Sequence, residues 1–108
     1  MENVVDNKKV EKLFQAILAL KNMEEAKRFF RDLLTEDELM EFGNRWQAAR
    51  MLSAKQSYTA IRGKTGLSPR TIARISGWLK NGMGGYRLML NRLSSHHRNY
   101  FPVGKGLR

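Results

Sequence analysis

Two helix-start signals lie close together in the second half of this sequence. Ser57 precedes YTAIRGKT, and Ser68 followed by Pro69 precedes RTIARISGWLK. A serine hydroxyl accepts hydrogen bonds from the free N–H groups of a first helical turn, and proline fits there because that position needs no N–H. Gly66, between the two segments, suits the left-handed residue that ends a helix. The spacing predicts two short helices joined by a tight turn over residues 57–80.

The sequence before this segment also has a helical pattern. Apolar residues within residues 10–20 recur at intervals of three and four, which is the period of one helix face. Asn22 with Glu25, and Thr35 with Glu38, have the spacing of capping boxes. These pairs predict the start of a second helix and of a longer third helix.

The predicted helices each have an apolar side. The third helix spans about residues 36–54, NGMGG at residues 81–85 ends the helix that begins at Ser68, and a last helix follows. We predict an all-α fold of about six helices in one domain, residues 1–93, with residues 94–108 as a basic, loosely ordered tail. The predicted apolar faces contain Ala26, Phe29, Phe30 and Leu33; Leu39, Phe42, Trp46 and Ala49; Ile61, Leu67, Ile72, Ile75 and Leu79; and Tyr86, Met89, Leu90 and Leu93.

Charge is distributed unequally along the chain. The net charge is +10, yet residues 1–41 hold all ten acidic residues and carry −3, whereas residues 42–108 have no Asp or Glu and carry +13. Such a stretch favours a polyanionic partner, either DNA, RNA or an anionic membrane, over a basic surface kept only for solubility. No run approaches the roughly 18 apolar residues of a membrane span. Because the basic stretch also contains the two short helices, we expect double-stranded DNA as the partner and no membrane.

The helix that begins at Ser68 has the chemistry of a DNA-recognition helix. Arg70 and Thr71 lie on its first turn, and Arg74 lies one turn further on. Arginine can donate twice to guanine, and threonine can bond a base or touch a thymine methyl. We predict that these three residues contact bases within a helix-turn-helix; the alternative is an ordinary helical hairpin with its arginines in water. The predicted phosphate contacts are Lys55, Ser57, Arg62, Lys64, Ser68 and Lys80.

A family resemblance covers the chain from about Val10 to Leu93. The segment RMLSAKQSYTAIRGKTGLSPRTIARISGWLKNG resembles the DNA-binding region of the trp repressor family, especially its YerC/YecD-type branch. The shared features include ARML at residues 49–52, the Thr-Gly turn and the Thr-Ile-x-Arg run at residues 71–74. The resemblance implies a trp repressor-like fold and an intertwined homodimer whose N-terminal helices interlock. Each subunit would present one recognition helix to half of a palindromic site.

The resemblance also bears on a ligand pocket. The trp repressor holds the indole ring of tryptophan between two arginines. Arg74 matches the arginine on the recognition helix, whereas the other arginine falls on Asn44, next to Arg45, and Trp78 stands where the repressor has a small hydroxyl residue. We predict that Trp78 fills the pocket of Asn44, Arg45 and Arg74, so that no tryptophan or other small-molecule effector is needed. The alternative is that Trp78 is simply a core residue.

Catalytic and metal-binding patterns are missing from the sequence. His96 and His97 are adjacent, so on a helix they point about 100° apart, and no Cys, Asp or Glu lies near them in sequence. We expect no enzyme activity, metal or cofactor. The lack of cysteine and of a signal-peptide pattern fits a bacterial cytoplasm. The sequence thus predicts a sequence-specific DNA-binding transcriptional regulator that acts as a repressor. The alternative is a nucleoid- or RNA-associated basic protein of low specificity.

Overall fold

The computed structural model describes residues 3–97, with side chains as far as Ser94. All regular structure in that range is helical, which confirms the predicted all-α fold of about six helices. None of the helices in the described range is both long and apolar enough to cross a membrane. After a short 3₁₀ turn at Val4–Asp6, the helices are α1 (Lys8–Leu18), α2 (Met23–Leu33), α3 (Glu36–Ser53), α4 (Tyr58–Thr65), α5 (Pro69–Asn81) and α6 (Gly85–His97).

Side-chain caps set the starts of the second and third helices. At α3, Glu38 N–H donates to Thr35 Oγ1 at 3.1 Å and Thr35 N–H donates to Glu38 Oε1 at 2.9 Å, which is the predicted capping box. At α2, Glu25 N–H donates to Asn22 Oδ1 at 2.9 Å as predicted. The return bond differs, because Glu25 Oε1 accepts from Lys21 N–H at 2.9 Å, one residue before the cap.

The chain divides into two compact units, Met1–Met40 and Glu41–Arg108. No described residue of the first unit is buried. The expectation that α2 buries four residues is therefore wrong in part: its phenylalanines are half-buried, whereas Leu33 is 45% exposed. Two helices of 11 residues each cannot enclose a side chain from all directions.

The second unit contains the buried core of the described chain. Ala49, Ile61, Leu67, Ile72 and Ile75 are buried there, as predicted. Ala48 and Met51 complete the core, and Trp46, Leu52 and Tyr86 pack against it. The core therefore joins the second half of α3 to α4 and α5.

Some predicted inward residues of the second unit are exposed. Phe42 is 55% exposed, because α3 reaches the buried cluster only from Trp46 onward. On α6, Tyr86 is half-buried against the core, whereas Met89 and Leu93 remain exposed. A helical period therefore identified these faces without showing whether another element covers them.

The described structure stops inside the predicted C-terminal segment. Helix α6 continues to His97, four residues past the predicted domain end at residue 93. Residues 98–108, which make up most of the predicted basic tail, lie outside the described residues, as do the side chains of His96 and His97.

Candidate nucleic-acid interface

The turn between α4 and α5 is held by a buried hydroxyl. Thr65 Oγ1 donates to Ile61 O at 2.7 Å and accepts from Leu67 N–H at 3.1 Å. Gly66 has the predicted left-handed conformation, with φ of 73°, and its N–H donates to Arg62 O at 2.8 Å. These bonds fix the direction in which α5 leaves the turn. The glycine was predictable from the sequence, whereas the role of Thr65 was not.

Both helices of this pair begin at the predicted serine caps. Ser57 Oγ accepts from Ala60 N–H at 3.1 Å, and Ser68 Oγ accepts from Thr71 N–H at 3.2 Å. Pro69 occupies the first turn of α5, where it removes no intrahelical hydrogen bond. Helix α4, the turn and α5 therefore form a helix-turn-helix.

The two faces of α5 differ sharply in burial. Ile72 and Ile75 are fully buried, whereas Arg70 and Arg74 are exposed. The two arginines are four residues apart, so they project from the same side of the helix. Thr71, between them in sequence, is half-buried, and its Oγ1 accepts from Ser68 Oγ at 3.1 Å. All three predicted base-contact residues therefore lie at the start of one anchored helix.

The predicted phosphate-contact residues are also at the surface. All six are exposed: Lys55, Ser57, Arg62, Lys64, Ser68 and Lys80. Their side chains come from the end of α3, from α4 and from both ends of α5. The structure shows that all six side chains are exposed, and the lysines and the arginine among them are positively charged. Their contact with phosphate stays a prediction.

Lys55 has a backbone conformation that its amino-acid type does not predict. Its φ is 66°, in the left-handed region that glycine usually occupies at the end of a helix. Lys55 N–H donates to Leu52 O at 3.0 Å, and Gln56 N–H donates to Met51 O at 3.0 Å. These two bonds form a Schellman motif that ends α3.

The residues of the predicted ligand pocket have different surroundings. Trp78 is 45% exposed, which is not the burial of a core residue, and it lines an apolar cleft of about 520 Å³. Trp46 and Tyr86 also line this cleft, with ring centroids 6.3 Å apart and planes at 23°. Asn44, Arg45 and Arg74 are not among its lining residues. Whether they form a pocket with Trp78 stays a prediction.

The positive charge of Arg45 acts on the hydroxyl of Tyr86. Arg45 Nε lies 2.9 Å from Glu41 Oε2, one helical turn earlier on α3. Burial raises the pKa of Tyr86 above its usual value, and the positive charge of Arg45 partly opposes that rise.

Residues 3–94, whose side chains the structure describes, contain no group of three or more His, Cys, Asp or Glu side chains suited to a metal.

Comparison with known proteins extends over almost the whole described chain. Residues 8–94 match the model of the family described as Trp repressor protein. The chain belongs to the Trp repressor family. Within it, the chain is 40% identical over 86 residues to a Bacillus subtilis (strain 168) protein described as uncharacterized protein YerC. That match covers 80% of this chain and 83% of the relative, and confirms the YerC-type resemblance.

Solved structures of Trp repressor-like proteins have the same fold. A TrpR-like protein from Eubacterium eligens ATCC 27750 superposes with a TM-score of 0.81 at 40% identity, covering 86% of this chain and 96% of that one. A candidate Trp repressor from Staphylococcus aureus superposes with a TM-score of 0.78 at 34% identity, covering 84% and 91%. The Trp repressor-like architecture predicted from the sequence is therefore confirmed.

Proposed function

We propose that this protein is a sequence-specific DNA-binding transcriptional regulator that acts as a repressor. The observation that carries the proposal is the two-sided character of α5. Its buried face, with Ile72 and Ile75, anchors the helix to the core, while Arg70 and Arg74 project outward from its first turns. An anchored helix that presents arginines at its N-terminal end suits readout of guanine in the major groove.

Charge supports a nucleic-acid partner for the second unit. Glu41 is its one acidic residue, at the boundary of the unit, and Glu41 forms an ion pair with Arg45. No Asp or Glu lies near the exposed cations of α4 and α5 in sequence, so no carboxylate there competes with DNA phosphates for these cations. Neutralising phosphates releases counterions, so these side chains contribute affinity without contributing base choice.

We also propose that the active form is an intertwined homodimer. In the single chain, no described residue of the first unit is buried, and the exposed fractions of Phe14 and Leu18 are 42% and 83%. Apolar helix faces of this kind favour association, and a second copy is the partner that the family resemblance implies. A two-fold symmetric dimer would present two α5 helices to a palindromic site.

We propose further that DNA binding needs no tryptophan. Trp78 lies on α5 with its indole ring at the wall of the apolar cleft, where it provides bulk that a ligand would otherwise supply. The proposed setting is a bacterial cytoplasm, and we propose no catalytic role.

Selection of binding sites from random DNA tests the central proposal. The affinity for the selected site should exceed that for random duplex by roughly a thousandfold or more at fixed salt, as specific regulators do. A ratio close to one would contradict sequence-specific regulation. It would favour instead a nucleoid- or RNA-associated protein that binds through charge alone, for which the acid-free sequence from residue 42 onward is the supporting observation.

Salt dependence tests the electrostatic part separately. If about six phosphates are contacted, affinity should fall on the order of a thousandfold between about 50 and 200 mM salt. A flat response would mean that the basic residues do not face the DNA backbone.

A further inference from the structure

A small cavity with basic walls lies at the opposite end of α5 from its serine cap. Its volume is about 270 Å³, and leucine side chains form part of its walls. The polar residues that line it are Lys55, Lys80, Arg87, Ser53, Ser76 and Asn91. The lining thus includes three cationic residues and three neutral residues whose side chains can donate hydrogen bonds.

Arg87 has its guanidinium group oriented by the end of α5. Its Nη2 donates to Leu79 O at 2.8 Å and to Lys80 O at 3.1 Å, so both hydrogens of this nitrogen are used. The Nε and Nη1 hydrogens make no hydrogen bond to the part of the chain that the structure describes. Each pair of parallel donors on a guanidinium includes Nη2, so the remaining Nε–H and Nη1–H point in different directions, and each can donate a single charge-assisted hydrogen bond to an oxyanion.

Lys55 reaches the same cavity from the end of α3. Its left-handed conformation, with φ of 66°, is one that glycine would adopt without steric cost. Lys55 is thus a third cationic residue in the lining of the cavity, together with Lys80 and Arg87. Because residues 42–108 contain no Asp or Glu, no carboxylate in that stretch can balance these charges.

We propose that this cavity is a phosphate-binding site. Arg87, Lys55 and Lys80 supply the opposing charge, and Ser53, Ser76 and Asn91 supply neutral donors to the remaining oxygens. The phosphate has two sources with the same chemistry: a phosphodiester of the DNA backbone, or the phosphate ester of a free small molecule. The site itself does not depend on the proposed DNA-binding function, because phosphate binding is measurable without DNA.

Titration of the full-length protein with inorganic phosphate, at constant ionic strength and without DNA, tests the site. Nuclear magnetic resonance can follow the Arg87 Nε–H signal and the side-chain amide of Asn91. We expect saturable binding with a dissociation constant of about 1 mM or below. Absence of saturation at these two signals would overturn the proposal.

A pair of arginine variants on the same helix provides the matched control. Arg87→Gln should weaken phosphate binding at least tenfold, whereas Arg92→Gln removes the same charge from an exposed residue of α6 outside the cavity and should leave binding unchanged. Equal weakening in both variants would show that only the general positive charge attracts phosphate, which contradicts a defined site.

Neutral variants keep the test independent of folding, since Arg87→Gln also removes two hydrogen bonds to α5. Ser76→Ala and Asn91→Ala change no charge, and each should weaken phosphate binding several-fold while thermal melts confirm that the protein stays folded. Unchanged phosphate affinity in both neutral variants, with both proteins folded, would contradict the proposed geometry.

Addition of duplex DNA distinguishes the two sources of phosphate. If the backbone supplies the phosphate, saturating DNA should abolish the response of Arg87 to inorganic phosphate. If a free phosphate ester is the ligand, phosphate should still bind to the DNA-bound protein. Failure of the protein to bind DNA at all would count against the proposed function and leave the phosphate titration as a complete test of this site.

Discussion

Ser68 and Thr71 are joined by two hydrogen bonds at the start of α5. Thr71 N–H donates to Ser68 Oγ at 3.2 Å, and Ser68 Oγ donates to Thr71 Oγ1 at 3.1 Å. The residue that begins the helix therefore also orients the threonine that is proposed to contact a base. This pair therefore contributes both to the stability of α5 and to the proposed DNA contact, and two substitutions of Ser68 can separate the two contributions.

Ser68→Ala should destabilise the protein by about 0.5–2 kcal/mol, because it removes the cap of α5. Ser68→Asp should retain the cap and nearly all of the stability, yet place a negative charge where DNA phosphate is expected. Thermal melts and DNA-binding titrations of both variants provide the measurement. If Ser68→Asp binds DNA as tightly as the wild type, the start of α5 does not approach the DNA.

Base readout and backbone anchoring should respond differently to mutation. Arg70→Ala and Arg74→Ala should each weaken binding to the selected site by about 1–3 kcal/mol and relax base choice. Lys64→Ala should weaken binding to all DNA sequences about equally and reduce the slope of affinity against salt by about one. Should both arginine variants behave like Lys64→Ala, α5 would not be the recognition helix.

Lys55→Gly should raise stability while lowering affinity for DNA. Glycine relieves the left-handed strain of this helix end, worth about 1 kcal/mol, but it removes an exposed cation. Lys55→Gln is the matched control, since it removes the charge and keeps the strained side chain. Its affinity loss should equal that of Lys55→Gly without the gain in melting temperature. A glycine variant no more stable than the glutamine variant would contradict the strain.

Tryptophan should neither bind to this protein nor raise its affinity for DNA. Calorimetric titration should show no heat, and a rise in DNA affinity of tenfold or more, about 1.4 kcal/mol of coupling, would contradict the proposal. Because Trp78 is 45% exposed, Trp78→Ser should cost less stability than the 3–5 kcal/mol or so lost with a buried tryptophan. It should instead lower DNA affinity, because the recognition helix loses the bulk beside the apolar cleft.

Alkaline pH should expose the environment of Tyr86. Burial raises the pKa of its hydroxyl in the folded protein, with Arg45 opposing the rise, so folding favours the neutral form. Its stabilising contribution is complete below the unfolded pKa of about 10 and is lost as pH rises through the folded value. Denaturant unfolding across this range should show less pH dependence in Tyr86→Phe than in the wild type. Tyr58→Phe, at an exposed residue, should leave the wild-type dependence in place.

Local signals made much of the helix-turn-helix predictable. Ser57, Gly66, Ser68 and Pro69 each act through bonds or torsions within a few residues, and all four take the predicted positions. Their chemistry depends little on the rest of the chain, which is why a single sequence was enough to place α4 and α5.

Features that depend on distant residues were not predictable in the same way. The periodicity of α3 pointed to Phe42, but burial depends on where the core begins, and that is Trp46. Arg87 caps α5 from a different helix. A basic residue near a helix end hints at such a cap, but sequence does not show which carbonyl it reaches. Lys55 in a glycine-type conformation gave no sequence signal, because its side chain disfavours that conformation.

No residue in the described part of the first unit, residues 3–40, is buried in the single chain, and in the proposed homodimer this ties regulation to protein abundance. In the proposed homodimer, ordering of the first forty residues would be inseparable from association, because their apolar faces gain cover only from a second chain. The melting temperature should then rise with protein concentration, as mass action requires. Cells with few copies would hold a population of subunits unable to occupy both halves of an operator. Occupancy would therefore respond to the expression level more steeply than binding by a monomer could.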